Sequence, residues 1–506
     1  MKKLVYFFIA SIAMSTINAQ NISDALRYAE ESINGTARFA AMSGAFGALG
    51  GDLSAISINP AGSAILTRPQ LSISLTNYDR DNQVRFFEGR SSTEISNLDL
   101  SQGGAAFVFN NQDVNSPWRK FVISILYDQT NNFDDSFFAS GTNTNSIDSY
   151  FLANAQGLRL DEISAFEGES FTDAYGDIGA TYGYQHQQAF LGFESFILEP
   201  EDITDDANSV YFSNIAPGTF NQEYAYASTG YNGKLGVNLA MQYQDNLFIG
   251  VNLNSHFINY NQSTFLRERN TNTSSFVTEV GFENNLRTTG NGFSFQIGAI
   301  SKVTDFLRLG VTYDSPIWYN ILDETTQFIS TVRESGGSST SLSINPNVIN
   351  VFPEYRLKTP GKVTGSAALI FGTKGLLSFD YSRKDFGSTE FRPSSDLVFA
   401  NENAQISNLL GVSTSYRIGG ELRHKNLSFR GGYRFEESPY NDNTFYGDLT
   451  GYSLGLGYSF GNTRVDLAYQ TSERTISRQL YNVGLTDAAL IDVNNDNISV
   501  SFNMTL

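Results

Sequence analysis

The chain has no cysteine, and only three histidines and two tryptophans among its 506 residues. Disulfide frameworks and zinc–cysteine sites are therefore excluded, and little remains for an imidazole metal site, so neither a metal nor another cofactor is expected. Charge is scarce as well: 17% of residues are charged, against about 25% in an average soluble domain. Long apolar runs are missing too, for mean hydropathy is -0.23, and beyond residue 20 no stretch approaches the roughly 18 apolar residues of a membrane helix. What charge there is leans acidic, with 33 basic against 52 acidic residues and a net charge of -19. That balance speaks against nucleic acid as a partner, because such affinity rests on many Lys and Arg contacts to phosphate.

Phenylalanine, tyrosine and glycine are plentiful, at 40, 26 and 44 copies. So much aromatic surface must be buried or placed in lipid, which excludes a disordered chain. Residues 1–19 read as a signal peptide. Lys2 and Lys3 form its basic end, Leu4 to Met14 its apolar stretch, and Ile17-Asn18-Ala19 a small-residue cleavage point. The competing reading is an N-terminal core strand. Export places the mature chain in an oxidising compartment, where lack of cysteine avoids unwanted pairing.

From about residue 220 onward apolar residues alternate with small or polar ones. Leu427, Phe429, Gly431, Tyr433 and Phe435 share one face, against Ser428, Arg430, Gly432 and Arg434; Ile498, Val500, Phe502, Met504 and Leu506 alternate with Ser499, Ser501 and Asn503. A period of two puts successive side chains on opposite faces of a strand. A soluble sandwich alternates as well, so the connections have to decide. Short turns at Gln244-Asp245-Asn246, Lys302-Val303-Thr304, Gly372-Thr373-Lys374, Arg423-His424-Lys425 and Gly461-Asn462 alternate with long polar loops near 269–285, 324–350, 393–404, 437–447 and 478–491. An outer-membrane barrel sorts its loops in this way, and a sandwich has no reason to. The fold class predicted is all-β: a transmembrane antiparallel barrel of about 14 strands over residues 69–506, with centres near 73, 107, 124, 236, 252, 296, 311, 366, 379, 413, 430, 455, 468 and 500. Residues 129–220 are assigned to a long, partly helical extracellular loop.

Residues 20–68 do not alternate. After a short helical stretch within Asn21 to Ile33, small residues run from Gly35 through Gly47 to Asn59-Pro60-Ala61-Gly62. A phosphate-binding loop would need a preceding strand and a lysine, and both are missing. A compact plug is the better reading, its small residues letting backbone lie on backbone and Asn59-Pro60 setting a tight turn.

The run from Gly47 to Gly62 that ends in Asn59-Pro60-Ala61 resembles the hatch motif of the FadL/TodX family of outer-membrane transport proteins for hydrophobic compounds. Leu357-Lys358-Thr359-Pro360-Gly361-Lys362-Val363, followed by Leu377-Ser378-Phe379-Asp380-Tyr381, is similar to a later strand pair of that family. Phe429 to Tyr433 and Leu454 to Tyr458 look like its late strands. The resemblance spans nearly the whole mature chain. It implies a 14-stranded barrel closed by the hatch, in agreement with the strand count. It also implies passive uptake of hydrophobic small molecules, long-chain fatty acids foremost, at a cell outer membrane. The implied partners are that ligand, outer-membrane lipid with lipopolysaccharide, and the barrel assembly machinery during biogenesis. One departure is the insertion between the third and fourth strands, which leaves ligand identity open; separately, the terminal alternation looks like an outer-membrane assembly signal, with Leu506 where such signals usually have an aromatic residue. Relatives that dock secretion cargo or a secretion-machinery partner supply an alternative function.

Arg308, Lys384, Arg417, Arg430 and Arg434 fall on the polar parity of their strands. They are candidates either for ion pairs with Asp314, Asp380, Glu436 and Asp466 or for the head group of an amphipathic acid, which guanidinium geometry suits. In the long loop Tyr175, Ile178, Tyr182, Phe190, Phe193 and Ile197 approximate a helical stripe. Phe133, Phe137, Phe138, Tyr150, Phe151 and Phe166 form an aromatic neighbourhood that either caps the barrel or makes an apolar groove. A barrel lipase or protease would need partners for His186, His256 or His424. No motif fixes one, and no enzyme is predicted.

Overall fold

The computed structural model describes residues 22–113 and 115–506; the signal-peptide assignment, residues 1–19, falls outside them. One antiparallel sheet of 14 strands closes on itself. Its strands are β1 (Gln70–Phe86), β2 (Gly89–Asn110), β3 (Trp118–Asn132, continued by Asp135–Asn143), β4 (Phe220–Tyr243), β5 (Leu247–Arg269), β6 (Val277–Lys302) and β7 (Leu307–Asp314, continued by Trp318–Ser335). They go on as β8 (Tyr355–Lys358, continued by Lys362–Ile370), β9 (Gly375–Asp385), β10 (Val412–His424), β11 (Leu427–Glu436), β12 (Leu449–Ser459), β13 (Thr463–Gln479) and β14 (Ala488–Thr505). Closure is made by β1 on β14, from Gln70↔Thr505 to Arg85↔Leu490. Every centre read from the sequence falls within a strand, although 413 marks an end of β10 and not its middle.

Outward positions carry exposed apolar side chains around the whole circumference: Ile73 on β1, Phe107 on β2, Ile125 on β3, Val237 on β4, Leu253 on β5, Ile297 on β6, Val311 on β7, and so on to Val500 on β14. A belt this continuous far exceeds the apolar patch a water-soluble monomer exposes, and in hydrocarbon it costs nothing. Among the described residues no helix is long and apolar enough to cross a membrane. Crossing falls to the strands, whose closure leaves no unpaired edge.

Four boundary expectations are corrected. Residues 129–143 are wall, not loop, since Asp135–Asn143 pairs with β4 from Asp135↔Ser228 to Asn143↔Phe220. Likewise β6 begins at Val277, β7 runs on to Ser335 before a hairpin with Ser338–Ile344, and β13 reaches Gln479. Above the apolar belt both faces of a strand are polar, so the alternation fades while the backbone ladder continues. Loop sorting is also not strict: β1 and β2 join by the tight turn Phe87-Glu88 at the capped mouth, and β2 and β3 by the longer 111–117 at the other end.

The insertion caps one mouth of the barrel. Its helices Asp148–Ala155, Phe171–Tyr182 and Tyr184–Glu194 bury Tyr150, Phe151, Tyr175 and Phe190 against Val84, Tyr226, Phe282, Ile329 and Ile491 of the wall. The predicted stripe is split between two helices at Gly183, whose φ of 93° reverses the chain. Tyr182 is accordingly exposed, as are Phe138 and Phe166 of the aromatic neighbourhood. A further helix, Leu397–Leu409, with Asp396 as its N-cap, occupies the loop expected at 393–404.

Candidate functional site

Residues 22–66 fill the lumen. The helix Ile22–Ala29 packs Leu26 and Tyr28 against Phe133, Tyr260, Tyr319 and Tyr355. Next, the helix Ala37–Ala40 is capped by Thr36, and a 3-10 turn, Pro60–Ile65, by Asn59. Asn59 Oδ1 accepts from Ala61 N at 3.1 Å, and Asn59 Nδ2 donates to Gly47 O at 2.7 Å and to Ala299 O of β6 at 3.1 Å. Pro60 opens the turn where a missing N–H costs nothing, and its carbonyl accepts from Asn238 Nδ2 of β4 at 3.0 Å. Gly62 O accepts from Gly51 N at 3.2 Å. The four residues of the motif thus join two turns of the segment to the wall strands β4 and β6.

Wall glycines make this fit possible. A Cβ on Gly250 would stand 2.4 Å from Pro60 O, one on Gly298 2.1 Å from Asn59 Oδ1, and one on Gly310 2.4 Å from Gly47 O. The alternation marked these positions only as the small-residue face; that Gly250 and Gly298 seat Asn59-Pro60 and Gly310 seats Gly47 is visible only in three dimensions.

All five candidate basic residues point inward, and they divide by partner. Arg430 is fully buried between Glu421 at 2.6 Å and Asp466 at 2.8 Å, and Arg38 of the N-terminal segment joins the same Glu421 at 2.8 Å. Such a buried network adds little net stability, because the cost of desolvating the charges offsets most of their attraction. Arg308 Nη1 donates to Leu49 O at 2.9 Å and Lys384 Nζ to Ala29 O, so both hold the N-terminal segment. Arg417 pairs with Glu436 at 3.2 Å, and Arg434 approaches the same carboxylate at 3.7 Å. Of the acids named with them, Asp380 accepts from Phe46 N and Gly47 N, while Asp314 pairs with Lys362 at 3.0 Å. Arg434 alone of the five lines a lumenal cavity of about 70 Å³, with Tyr78, Arg80, Ile95, Asn97, Asn132 and Asp134 among its walls.

The wall beside that cavity is interrupted. The ladder between β2 and β3 runs from Asn110↔Lys120 to Gln102↔Asp128 and then stops, while β2 continues to pair with β1 and β3 with β4. Side chains span the gap instead: Asn132 Nδ2 donates to Asp99 Oδ2 at 2.8 Å, Asn97 Nδ2 to Asp134 Oδ2 at 2.6 Å, and Thr93 Oγ1 to Ser136 O at 2.6 Å. At the capped mouth the seam closes again, where Gly89 lies so near Ser140 that a Cβ would meet its carbonyl oxygen at 1.7 Å.

Sequence reading missed a second cation. Arg478, inward on β13, lies 3.7 Å over the Tyr226 ring and 5.5 Å from that of Phe137, and among the described residues it has no ion pair. Tyr226 and Tyr260 hydroxyls are 2.9 Å apart, and Arg27 stacks on Tyr260 at 4.2 Å. The signal was the Arg474 and Arg478 spacing on one strand parity, hidden by assigning 478–491 to a loop.

The histidines do not assemble a catalytic triad. His256 Nε2 lies 2.8 Å from Ser294 Oγ, but its Nδ1 is buried without a hydrogen-bond partner among the described residues, so none of their carboxylates orients the ring. His186 stacks on Tyr182 and faces Glu162 at 3.5 Å, and His424 ends β10 at a tight turn.

No family model matches the chain, and no curated protein matches its sequence. Solved structures do match. A FadL homologue of Pseudomonas aeruginosa is 12% identical, with a TM-score of 0.55 over 94% of this chain and 99% of its own. The toluene transporter TodX of Pseudomonas putida is also 12% identical, with a TM-score of 0.52 over 94% of this chain and 100% of its own. Strand count, closure and a lumen filled by the N-terminal segment agree with that match, and the chain has the FadL/TodX fold.

Proposed function

We propose that the protein is an outer-membrane channel for passive uptake of hydrophobic small molecules, with long-chain fatty acids as its substrates and residues 20–68 as its hatch. The observation that carries the reading is the seam between β2 and β3. There side-chain hydrogen bonds replace the backbone ladder between β2 and β3, Asn97, Asn132 and Asp134 of the seam line the lumenal cavity, and Leu98 beside them faces outward. Likeness in fold to a FadL homologue and to a toluene transporter supports the substrate class.

Each buried methylene contributes about 0.8 kcal/mol, so ten give roughly 8 kcal/mol gross. Capture is then easy, and release needs an element that moves. The helix Ile22–Ala29 fills the space an alkyl chain would take, and it is tethered by polar contacts of its end: Glu30 to Arg474 at 2.9 Å and Glu31 to Lys362 at 2.8 Å. Displacing it would open an aromatic-lined channel from the seam past Arg434 and toward Arg478, whose guanidinium suits a carboxylate head. Export by residues 1–19 and insertion of the barrel by assembly machinery complete the scheme.

The test is lipid extraction from protein purified in short-chain detergent, followed by mass spectrometry. Long-chain fatty acid bound to the native chain and depleted in Arg478→Ala supports the reading. Protein that carries no hydrophobic ligand, even after incubation with oleate, contradicts it.

A further inference from the structure

A groove of about 410 Å³ lies on the outside of the barrel, walled by β4 to β7, with Ile349 at one end. Strand register arranges its floor in two parallel rows. Thr229 faces Asn261, which faces Arg287, which faces Glu324; one step on, Ala227 faces Ser263, which faces Asn285, which faces Thr326. Four strands span about 14 Å at ordinary sheet spacing. All eight residues take the parity that points away from the lumen, yet seven of them, all but Ala227, are polar or charged, where outward positions nearer the short turns are apolar.

Height explains the change. On the same outward parity Tyr231 stands two residues below Thr229, Phe257 four below Asn261, Phe293 six below Arg287 and Trp318 six below Glu324. This is an aromatic girdle of the kind found at a membrane interface, and Leu235, Val237, Leu253 and Ile297 form the apolar belt beneath it. The rows therefore sit where the head groups of the outer leaflet begin. Their chemistry is mainly that of amides and hydroxyls: the side chains of Thr229, Asn261 and Ser263 are exposed and make no hydrogen bond among the described residues, and Arg287 and Glu324 approach only to 3.6 Å. Such a set offers donors and acceptors of both kinds to neutral hydroxyls and supplies too little positive charge for a phosphate cluster.

We infer that this groove binds the sugar head of an outer-leaflet glycolipid whose acyl chains lie on the belt below. The inference rests on the outer-membrane reading above but not on the uptake of any ligand through the lumen.

Rough lipopolysaccharide, carrying lipid A and core sugars, would be titrated onto detergent-purified protein and its occupancy read by native mass spectrometry. The variant Asn261→Trp with Ser263→Trp fills the groove, and Glu473→Trp places a tryptophan on the opposite wall. Heat-modifiable gel mobility checks that each barrel is folded. Occupancy should fall about tenfold in the groove variant, equal to about 1.4 kcal/mol, and stay at the native level in the Glu473 variant. Lipid A without core sugars should bind the native chain as weakly as the whole glycolipid binds the groove variant. Equal occupancy in all three proteins, or equal binding of lipid A alone, would overturn sugar recognition. Free core oligosaccharide binding as tightly as the whole glycolipid would overturn the part assigned to the belt.

Discussion

Gly298 on the wall and Asn59 in the lumen are fitted to each other: a Cβ on Gly298 would lie 2.1 Å from the Asn59 side-chain oxygen that caps Ala61. The wall thus seats Asn59 by leaving an atom out. Gly298→Val should expel Asn59 without changing the motif itself, and Asn59→Ala should do the same from the other side by orphaning Gly47 O and Ala299 O. Unsatisfied buried groups cost about 1–3 kcal/mol each, enough to undock the segment while the interstrand ladder stands. Both variants should keep heat-modifiable mobility and show raised ion conductance in planar bilayers. Native conductance in both would reduce Asn59-Pro60-Ala61 to an ordinary turn.

Arg478 provides a test of head-group recognition. Removing a charge-assisted hydrogen bond costs about 2 kcal/mol, roughly a thirtyfold loss of affinity. Arg478→Gln should therefore weaken binding of a fatty acid by that factor and leave binding of the matching alkane unchanged, as measured by ligand depletion. Equal losses for both would assign Arg478 to packing alone.

The cap should be sensitive to pH. Glu268, at the far end of β5 and well beyond the apolar belt, is buried, and burial pushes its carboxyl up from 4.5 to about 7. It accepts from Ser146 Oγ at 2.5 Å, Ile147 N at 2.9 Å and Gln222 Nε2 at 2.7 Å, which anchors the first turn of the cap, but these bonds offset burial only in part. Asp148 nearby is raised by burial too. A carboxyl with a raised pKa binds its proton more tightly when docked than when released. Docking is consequently strongest below about pH 4.5, weakens as pH climbs through 4.5 to 7, and levels off above. Hydrogen exchange over residues 144–219 should be slower at pH 5 than at pH 8, and Glu268→Gln should flatten most of that difference. The opposite slope would show that the three hydrogen bonds outweigh burial.

What the sequence made legible was whatever obeys a local period. Phe429, Tyr433, Leu454 and Val500 announce strands because lipid demands an apolar residue at every second position. Where lipid ends the demand ends, and so the outer part of β3 at Asp135–Asn143 and the β13 stretch holding Arg478 read as loop. Asn59 and Pro60 were legible as a turn, but their seat on Gly250 and Gly298 depends on residues some 190 to 240 positions away whose glycines look like any small inward residue. The seam was illegible for a different reason: Gln102 and Asp128 are ordinary strand residues, and the end of their pairing is a property of two strands together. Arg430 was placed correctly on the inward face, yet only the fold shows that Glu421 and Asp466 occupy it fully.

The central claim, that hydrophobic solutes pass through the seam, can be tested by locking it. The chain has no cysteine, so Asn97→Cys with Asp134→Cys introduces the only two thiols, at positions whose native side chains already meet at 2.6 Å. Uptake of radiolabelled oleate would be followed in cells that express the native chain, the locked variant with and without reductant, or neither. The account predicts uptake in the oxidised variant as low as in cells without the protein, and recovery to the native rate on reduction. Uptake that ignores both the lock and the deletion, in cells that lose secretion of surface proteins when the chain is absent, would contradict it and favour a cargo-docking role.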